Sequence, residues 1–262
     1  MSKNIYSSLT EAKKEGKKKF VVLLDPDKLR LSNMEHLLSL SMAAKVDYFF
    51  VGGSLVVSDM LEQCIEAIQR CCDIPVILFP GDITQISHKA DGILFLSLIS
   101  GRNSDLLIGR HVIAAPILRK SPLEVLSTGY MLIDGGRITT ASYMSGTTPI
   151  PSDKNEIAVC TAMAGEMLGN KLIYMDAGSG AKQPIPEAMI AAVSRSVEIP
   201  IIVGGGIRTP EKVRANLEAG ADVIVVGNAL ENEPSLLKAL ASVVVEYNKQ
   251  NSSNSKIQNS TR

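Results

Sequence analysis

The chain has 262 residues, 45% of them hydrophobic, with 27 basic and 27 acidic side chains and no formal net charge. That balance gives no broad electrostatic reason to bind nucleic acid or a membrane, so any anion site must be local. No apolar run approaches the roughly 20 residues of a membrane span, the opening MSKNIYSSLT lacks the apolar core of a signal peptide, and a cytoplasmic protein is expected.

The length suits one α/β barrel of about 250 residues, or two small domains. Cys64, Cys71, Cys72 and Cys160 show no C-x-x-C spacing and are expected to be reduced packing residues. The basic run 11–19, EAKKEGKKK, is expected to form a solvated N-terminal helix or arm, with at most peripheral contact to a lipid surface.

Residues 20–24 are continuously apolar, as a strand buried on both faces of a parallel sheet requires, and end in Asp25-Pro26-Asp27-Lys28. Ser32 and Glu35 form a capping box ahead of a helix carrying Leu37, Leu38 and Ser41. A second strand, 48–51, turns through Gly52-Gly53-Ser54 into a helix with Leu61, Ile65 and Ile68 at helical spacing. The third strand, 76–79, is closed by Pro80-Gly81. Only 82–91 then precede the apolar run 93–96, and a parallel crossover normally needs a dozen or more residues. A helix is therefore expected to be missing or replaced there.

Ser104 is expected to cap the next helix, with Leu107, His111, Val112 and Ala115 facing inward. Strand 130–133 is followed by a long loop, 134–152, of the kind that forms lids or substrate walls. Asp153 and Glu156 open a helix ending near Gly169, and strand 172–175 leads into Asp176-Ala177-Gly178-Ser179-Gly180. A helix from about Pro186 precedes the strand–helix–strand unit 200–230, whose helix opens at Thr209-Pro210. The last helix carries Leu236, Leu240, Val243, Val244 and Tyr247, and the polar tail 248–262 is expected to be disordered. The pattern gives one domain, 1–247, as a (β/α)8 TIM barrel with its third helix missing or replaced by an irregular segment. A doubly wound sheet would call for G-x-G-x-x-G after the first strand, which is absent.

On such a barrel the carboxyl ends of the strands carry the chemistry. Gly204, Gly205 and Gly206 after the seventh strand, and Gly227-Asn228 after the eighth, place two glycine turns side by side where a phosphate is commonly held. Gly178, Ser179 and Gly180 complete an anion cradle. Tyr174 and Asp176 can bond the hydroxyls of whatever carries the phosphate, and Asp176 is the candidate general base. Asp25 facing Ser54 across neighbouring strands offers hard oxygens suited to Mg²⁺, or Asp25 simply makes an Asp-Pro turn. Lys28 either holds a second phosphate or lies in solvent. His36, His88 and His111 fall away from the strand ends, which argues against a Ser-His-Asp triad or a His-rich zinc site.

LLDPDK, FVGGS, YMDAGSG, IVGGGI and VVGN, in this order and spacing, resemble the geranylgeranylglyceryl phosphate synthase family, which includes the PcrB-type enzymes. The resemblance covers about 20–247. The longer fifth loop and the L-D-P-D-K form are closer to the geranylgeranyl-type (group II) members than to the PcrB type, whose lysine ahead of the first aspartate is here Leu23. The resemblance implies a barrel lacking the third helix and a prenyltransferase joining sn-glycerol 1-phosphate to a long-chain prenyl diphosphate. It further implies Mg²⁺ on Asp25 and Ser54, glycerol phosphate on Tyr174, Met175, Asp176, Ala177, Gly178, Ser179, Gly180, Gly205, Gly206, Gly227 and Asn228, and a homo-oligomer. An apolar groove for the prenyl tail is expected along the helices after the fourth and fifth strands and the irregular crossover. The competing readings are a sugar-phosphate isomerase or aldolase, a flavin-phosphate barrel enzyme, and a non-catalytic phosphate-ligand binding protein. No Schiff-base lysine lies at an inner strand end to serve an aldolase.

Overall fold

Eight parallel strands close into a barrel in sequence order: β1 (Lys19–Leu24), β2 (Tyr48–Val51), β3 (Val76–Leu78), β4 (Gly92–Leu98), β5 (Glu124–Leu132), β6 (Leu172–Asp176), β7 (Ile201–Gly204) and β8 (Val223–Val226). The computed structural model describes residues 4–28, 31–58 and 60–260, without the side chains of 31–33 and 254–260. The side chain of Ser32, expected in a capping box, lies outside the described residues. Alternate side chains of each strand point to opposite faces, so the strands feed two apolar layers. Val21, Phe50, Ile77, Leu126, Ile202 and Val225 fill the barrel interior. Val22, Phe49, Leu78, Met131, Met175 and Val203 pack outward against the helices.

The barrel floor is built from α1 (Ile5–Lys14). Ile5 and Leu9 enter the interior layer. The Glu124 carboxylate accepts the backbone N–H groups of Ile5 at 2.6 Å and Tyr6 at 2.8 Å, two donors that a helix start otherwise leaves unpaired. The basic run is not a free arm. Lys13 and Lys18 both pair with Asp222, at 3.0 and 2.9 Å, and Lys19 pairs with Asp47 at 2.9 Å.

Helix α2 (Leu31–Ala43) joins β1 to β2, and α3 (Leu61–Cys71) joins β2 to β3. Between β3 and β4 a 3₁₀ turn, Ile83–Gln85, stands where a barrel helix would be. Buried Gln85 fixes it, donating to Gly53 O at 2.9 Å and accepting from the N–H groups of Gly53 and Gly81, each at 3.3 Å.

A π-helical turn, Asp105–Gly109, runs straight into α4 (Arg110–Arg119). The wider turn rotates the helix face, and the buried residues are His111, Ala114 and Leu118. Val112, expected inside, is exposed, and Ala115 is as well. Ser104 makes no capping bond; Asn103 Oδ1 accepts the N–H of Asp105 at 3.1 Å instead.

Within the long fifth loop, α5 (Thr140–Ser145) is opened by a Thr139–Ser142 capping box. The chain then returns to bridge Ile150 to Ile133. The next helix, α6 (Asn155–Met167), begins past Asp153, which pairs with Lys154 outside it. α7 (Glu187–Ser194), α8 (Pro210–Glu218, capped by Thr209), α9 (Asn228–Asn232) and α10 (Leu236–Ser260) complete the ring.

The polar tail expected from 248 onward is helical to Ser260. Asn248 shows why the helix does not stop at Tyr247. Its side-chain oxygen accepts Lys18 N–H at 2.7 Å and its amide donates to Lys18 O at 2.9 Å, which ties α10 to the approach of β1. No described helix is long and apolar enough to cross a membrane.

Candidate active site

β1 delivers Asp25 to the carboxyl edge of the barrel. One of its carboxylate oxygens accepts Asp27 N–H at 3.1 Å, and the other pairs with Lys28 Nζ at 2.9 Å. Lys28 also reaches Glu231, in the first turn of α9, at 3.7 Å. Burial works against the Lys28 ammonium, but the Asp25 and Glu231 carboxylates outweigh it and raise its pKa. Burial likewise raises the Glu231 carboxyl, with Lys28 opposing. Asp27 has a different role. It accepts Val57 N–H at 2.7 Å and Ser58 N–H at 3.0 Å, and also the Ser58 hydroxyl, binding the β1 turn to the loop after β2. In that loop a Cβ on Gly53 would stand 3.6 Å from the Asp25 carboxylate, so Ser54 follows directly on the residue that touches Asp25.

On β6, Tyr174 and Asp176 are two residues apart and face the same way. Met175 and Ala177, expected among the substrate-binding residues, send their side chains into the outer apolar layer. They can offer a ligand backbone only. Asp176 is buried at 7% exposure, with both oxygens engaged: Tyr130 Oη donates at 2.6 Å and Gly178 N–H at 2.7 Å. Burial raises the Asp176 pKa, and the Tyr130 and Gly178 hydrogen bonds oppose that rise. Burial and then the Asp176 charge push both the Tyr130 and the Tyr174 phenol well above the ordinary range. Tyr174 stacks on Phe79 at 5.3 Å and meets Tyr130 edge-on at 5.4 Å.

The turn after β7 closes against Asp176. Gly205 has φ +83°, and a Cβ there would lie 2.7 Å from Asp176 Oδ1, Ala177 N and Gly178 N. Only glycine brings this backbone so near. Ser179, Gly180, Gly206, Gly227 and Asn228 line the same polar pocket, of about 290 Å³, together with Asp25, Ser54, Tyr174 and Asp176. The structure thus gathers the expected residues at one barrel mouth, apart from the side chains of Met175 and Ala177.

A second cavity, of about 310 Å³, opens between the 3₁₀ turn, β4, α4 and α5. Ile83, Ile86, Phe95, Leu106, Ala114 and Met144 give it an apolar wall. It shares Gly53, Ser54, Leu55, Phe79 and Ala141 with the polar pocket. Its polar lining includes the Asp82–Arg110 ion pair, Thr84, Gln85 and His111, whose Nε2 lies 3.1 Å from Ser97 Oγ and whose ring meets Phe95 edge-on. Among the described residues, no group of three or more His, Cys, Asp or Glu side chains is arranged to hold a metal ion.

Sequence reasoning missed Tyr130, Glu231 and Arg208, which also lines the polar pocket. A signal for Tyr130 existed: a tyrosine on a fully buried strand must find a partner for its hydroxyl, and β5 pairs Tyr130 directly with Tyr174. Nothing local marks Glu231, whose meaning comes from Lys28 on another strand end.

The family model described as the PcrB family matches residues 13–244. The chain is 58% identical to the geranylgeranylglyceryl phosphate synthase of Chitinophaga pinensis, over 93% of this chain and 97% of that one. It is 41% identical to the synthase of the same name from Thermococcus kodakarensis, over 87% and 90%. Among solved structures, the (S)-3-O-geranylgeranylglyceryl phosphate synthase of Thermoplasma acidophilum, in complex with sn-glycerol-1-phosphate, superposes with a TM-score of 0.87 at 32% identity, over 94% of this chain and 98% of that one. Thiamine phosphate pyrophosphorylase from Pyrococcus furiosus, with a TM-score of 0.58 at 15% identity, shares the fold alone. The family match over residues 13–244, with relatives as much alike as these over most of the chain, places this chain in the PcrB family.

Proposed function

We propose that this protein is a Mg²⁺-dependent prenyltransferase that joins the C3 hydroxyl of sn-glycerol 1-phosphate to geranylgeranyl diphosphate or a similar long prenyl diphosphate. The observation that carries the reading is the shared wall: a polar pocket and an apolar cavity of comparable size meet at Gly53, Ser54, Leu55, Phe79 and Ala141. A substrate with a charged head and a long apolar tail fits that pair, with its reactive carbon at the boundary.

In this reading the glycine turns after β6, β7 and β8 hold the phosphate of glycerol phosphate through backbone N–H groups. Tyr174 and Asp176 hold its hydroxyls. Anchoring the nucleophile lowers the entropic cost of bringing it to the prenyl carbon. The glycerol oxygen forms a bond to prenyl C1, the C1–O bond to diphosphate breaks with its electron pair leaving on diphosphate, and the hydroxyl proton passes to Asp176. Each Asp176 oxygen has a second acceptor position beyond its bond to Tyr130 or Gly178, so the carboxylate can still receive that proton.

The donor set at the first two strand ends fits a hard divalent cation. The Asp25 carboxylate lies against Gly53, and the Ser54 hydroxyl adds a second oxygen, which suits an ion that takes one or two protein ligands and fills the rest with water and phosphate. When bound, Mg²⁺ neutralises charge developing on the departing diphosphate. The cytoplasm is the expected setting.

The test is product formation from geranylgeranyl diphosphate with sn-glycerol 1-phosphate or its 3-phosphate enantiomer, each with and without Mg²⁺. Ether product from the 1-phosphate alone, and only with the metal, is expected. No product at any prenyl length would refute the proposal.

A further inference from the structure

The Tyr130 hydroxyl lies within the barrel, 2.6 Å from Asp176 Oδ2. It belongs to neither set of residues to which the sequence assigns chemistry. Tyr130 is 8% exposed, on β5, in direct register with Tyr174 on β6. Its ring packs edge-on against Phe79 at 5.8 Å and Tyr174 at 5.4 Å, and forms part of the wall of the apolar cavity. One side chain thus borders the cavity with its ring and grips the carboxylate of the polar pocket with its hydroxyl.

We infer that Tyr130 is a positioning residue for Asp176, which fixes the carboxylate's orientation and its readiness to accept a proton. The inference rests on the prenyltransferase reading for its catalytic consequence, though not for the bond itself. The phenol keeps its own proton, because burial and the neighbouring carboxylate both oppose phenolate, so towards the ionised carboxylate it is the donor. Gly178 N–H donates to Oδ1 at 2.7 Å, so each carboxylate oxygen has its own donor and rotation of the group would break both bonds. A donated hydrogen bond favours the ionised carboxylate, against the burial that favours the neutral acid.

The titratable groups packed against Asp176 are Tyr130 from β5 and Tyr174 from its own strand. β7 offers backbone only, at Gly204 and Gly205. The charged residues lining the same pocket are Asp25, Asp27, Lys28, Arg208 and Glu231.

The variant is Tyr130→Phe, which keeps the ring and its packing and removes only the hydroxyl. Difference infrared titration of the full chain without substrate reads the protonated-carboxyl band of Asp176, identified by its loss in Asp176→Asn. That band is expected to persist to higher pH in Tyr130→Phe than in the parent; coincident titrations would overturn the inference whatever reaction the protein performs. In the product assay, Tyr130→Phe is expected to lower kcat about tenfold, move the acid limb of the rate profile to higher pH, and leave glycerol phosphate affinity within twofold. In an Asp176→Asn background the same change should cost less than twofold, because Tyr130 acts through Asp176. An equal loss in both backgrounds would show that the hydroxyl acts elsewhere. An infrared shift in Tyr130→Phe together with a parent protein that makes no ether product would sink the prenyltransferase reading and leave the Tyr130–Asp176 coupling standing.

Discussion

Gly205 and Asp176 sit so close that a Cβ on the glycine would stand 2.7 Å from the carboxylate oxygen, and the backbone there has φ +83°. The turn after β7 is therefore shaped around the carboxylate on β6. Gly205→Ala would combine a left-handed backbone with two backbone nitrogens and one carboxylate oxygen inside contact distance. Strain of this kind costs on the order of 1–3 kcal/mol. Glycerol phosphate affinity measured by calorimetry should fall at least about tenfold, which corresponds to 1.4 kcal/mol. Affinity within twofold of the parent would show that the turn yields easily and does not shape the site.

Asp176→Asn removes the acceptor for the hydroxyl proton while keeping a polar group that can accept from Tyr130. Turnover should drop more than tenfold, with glycerol phosphate binding nearly intact; unchanged turnover rules out Asp176 as the base. Stability should change with pH. A carboxyl whose folded pKa is raised contributes stability that is present at low pH and lost as pH rises through that folded pKa. At neutral pH the ionised Asp176 is thus a cost, which asparagine relieves. Asparagine has a single acceptor oxygen for the two donors that Asp176 satisfies, a loss that does not depend on pH; the melting temperature of the variant relative to the parent should therefore rise from pH 4 to pH 7.

The barrel was legible because most of its strands are apolar runs bounded by Gly, Pro or Asp, whereas β5, which opens on the mixed polar and apolar stretch 124–129, was legible only from Tyr130 onward. The missing helix was legible as well, since 82–91 cannot hold a full crossover. Residues that depend on cross-strand register were harder to find. Tyr130 becomes a site residue only once β5 is aligned on β6, and Glu231 only once α9 folds back over Lys28. The period-two rule already separates Met175 and Ala177 from Tyr174 and Asp176, although the family motif groups all four. The π-helical turn before α4 shifted the buried face by a bond that no residue type announces. Polarity alone does not show where α10 ends, because Asn248 spends its polar group on the backbone of Lys18.

Asp25 is now held by Lys28, which Glu231 shares. A divalent cation arriving at Asp25 must displace that ammonium, and Glu231 is the carboxylate available to receive it. Asp25→Ala should abolish Mg²⁺-stimulated product formation. Glu231→Gln should leave an active enzyme that needs about threefold more Mg²⁺ for half-maximal rate, because Lys28 then has Asp25 as its single strong partner. An unshifted Mg²⁺ titration for Glu231→Gln means that Lys28 does not compete for the site.

On the proposed prenyltransferase reading the prenyl tail enters the apolar cavity in the space left by the missing helix, and Ala114 is placed to test this. It is buried, and from α4 it lines the cavity together with Ile86, Phe95 and Leu106. Ala114→Phe would fill empty space rather than compress a packed core, so the fold should tolerate it better than a typical overpacking change of about 1–3 kcal/mol. The kcat/KM for geranylgeranyl diphosphate should fall more than tenfold and that for farnesyl diphosphate less than threefold, which shifts preference to the shorter chain. Leu118→Ala on the same face should move preference towards longer chains. If neither variant changes the ratio between chain lengths while both stay folded, the tail lies elsewhere on the barrel.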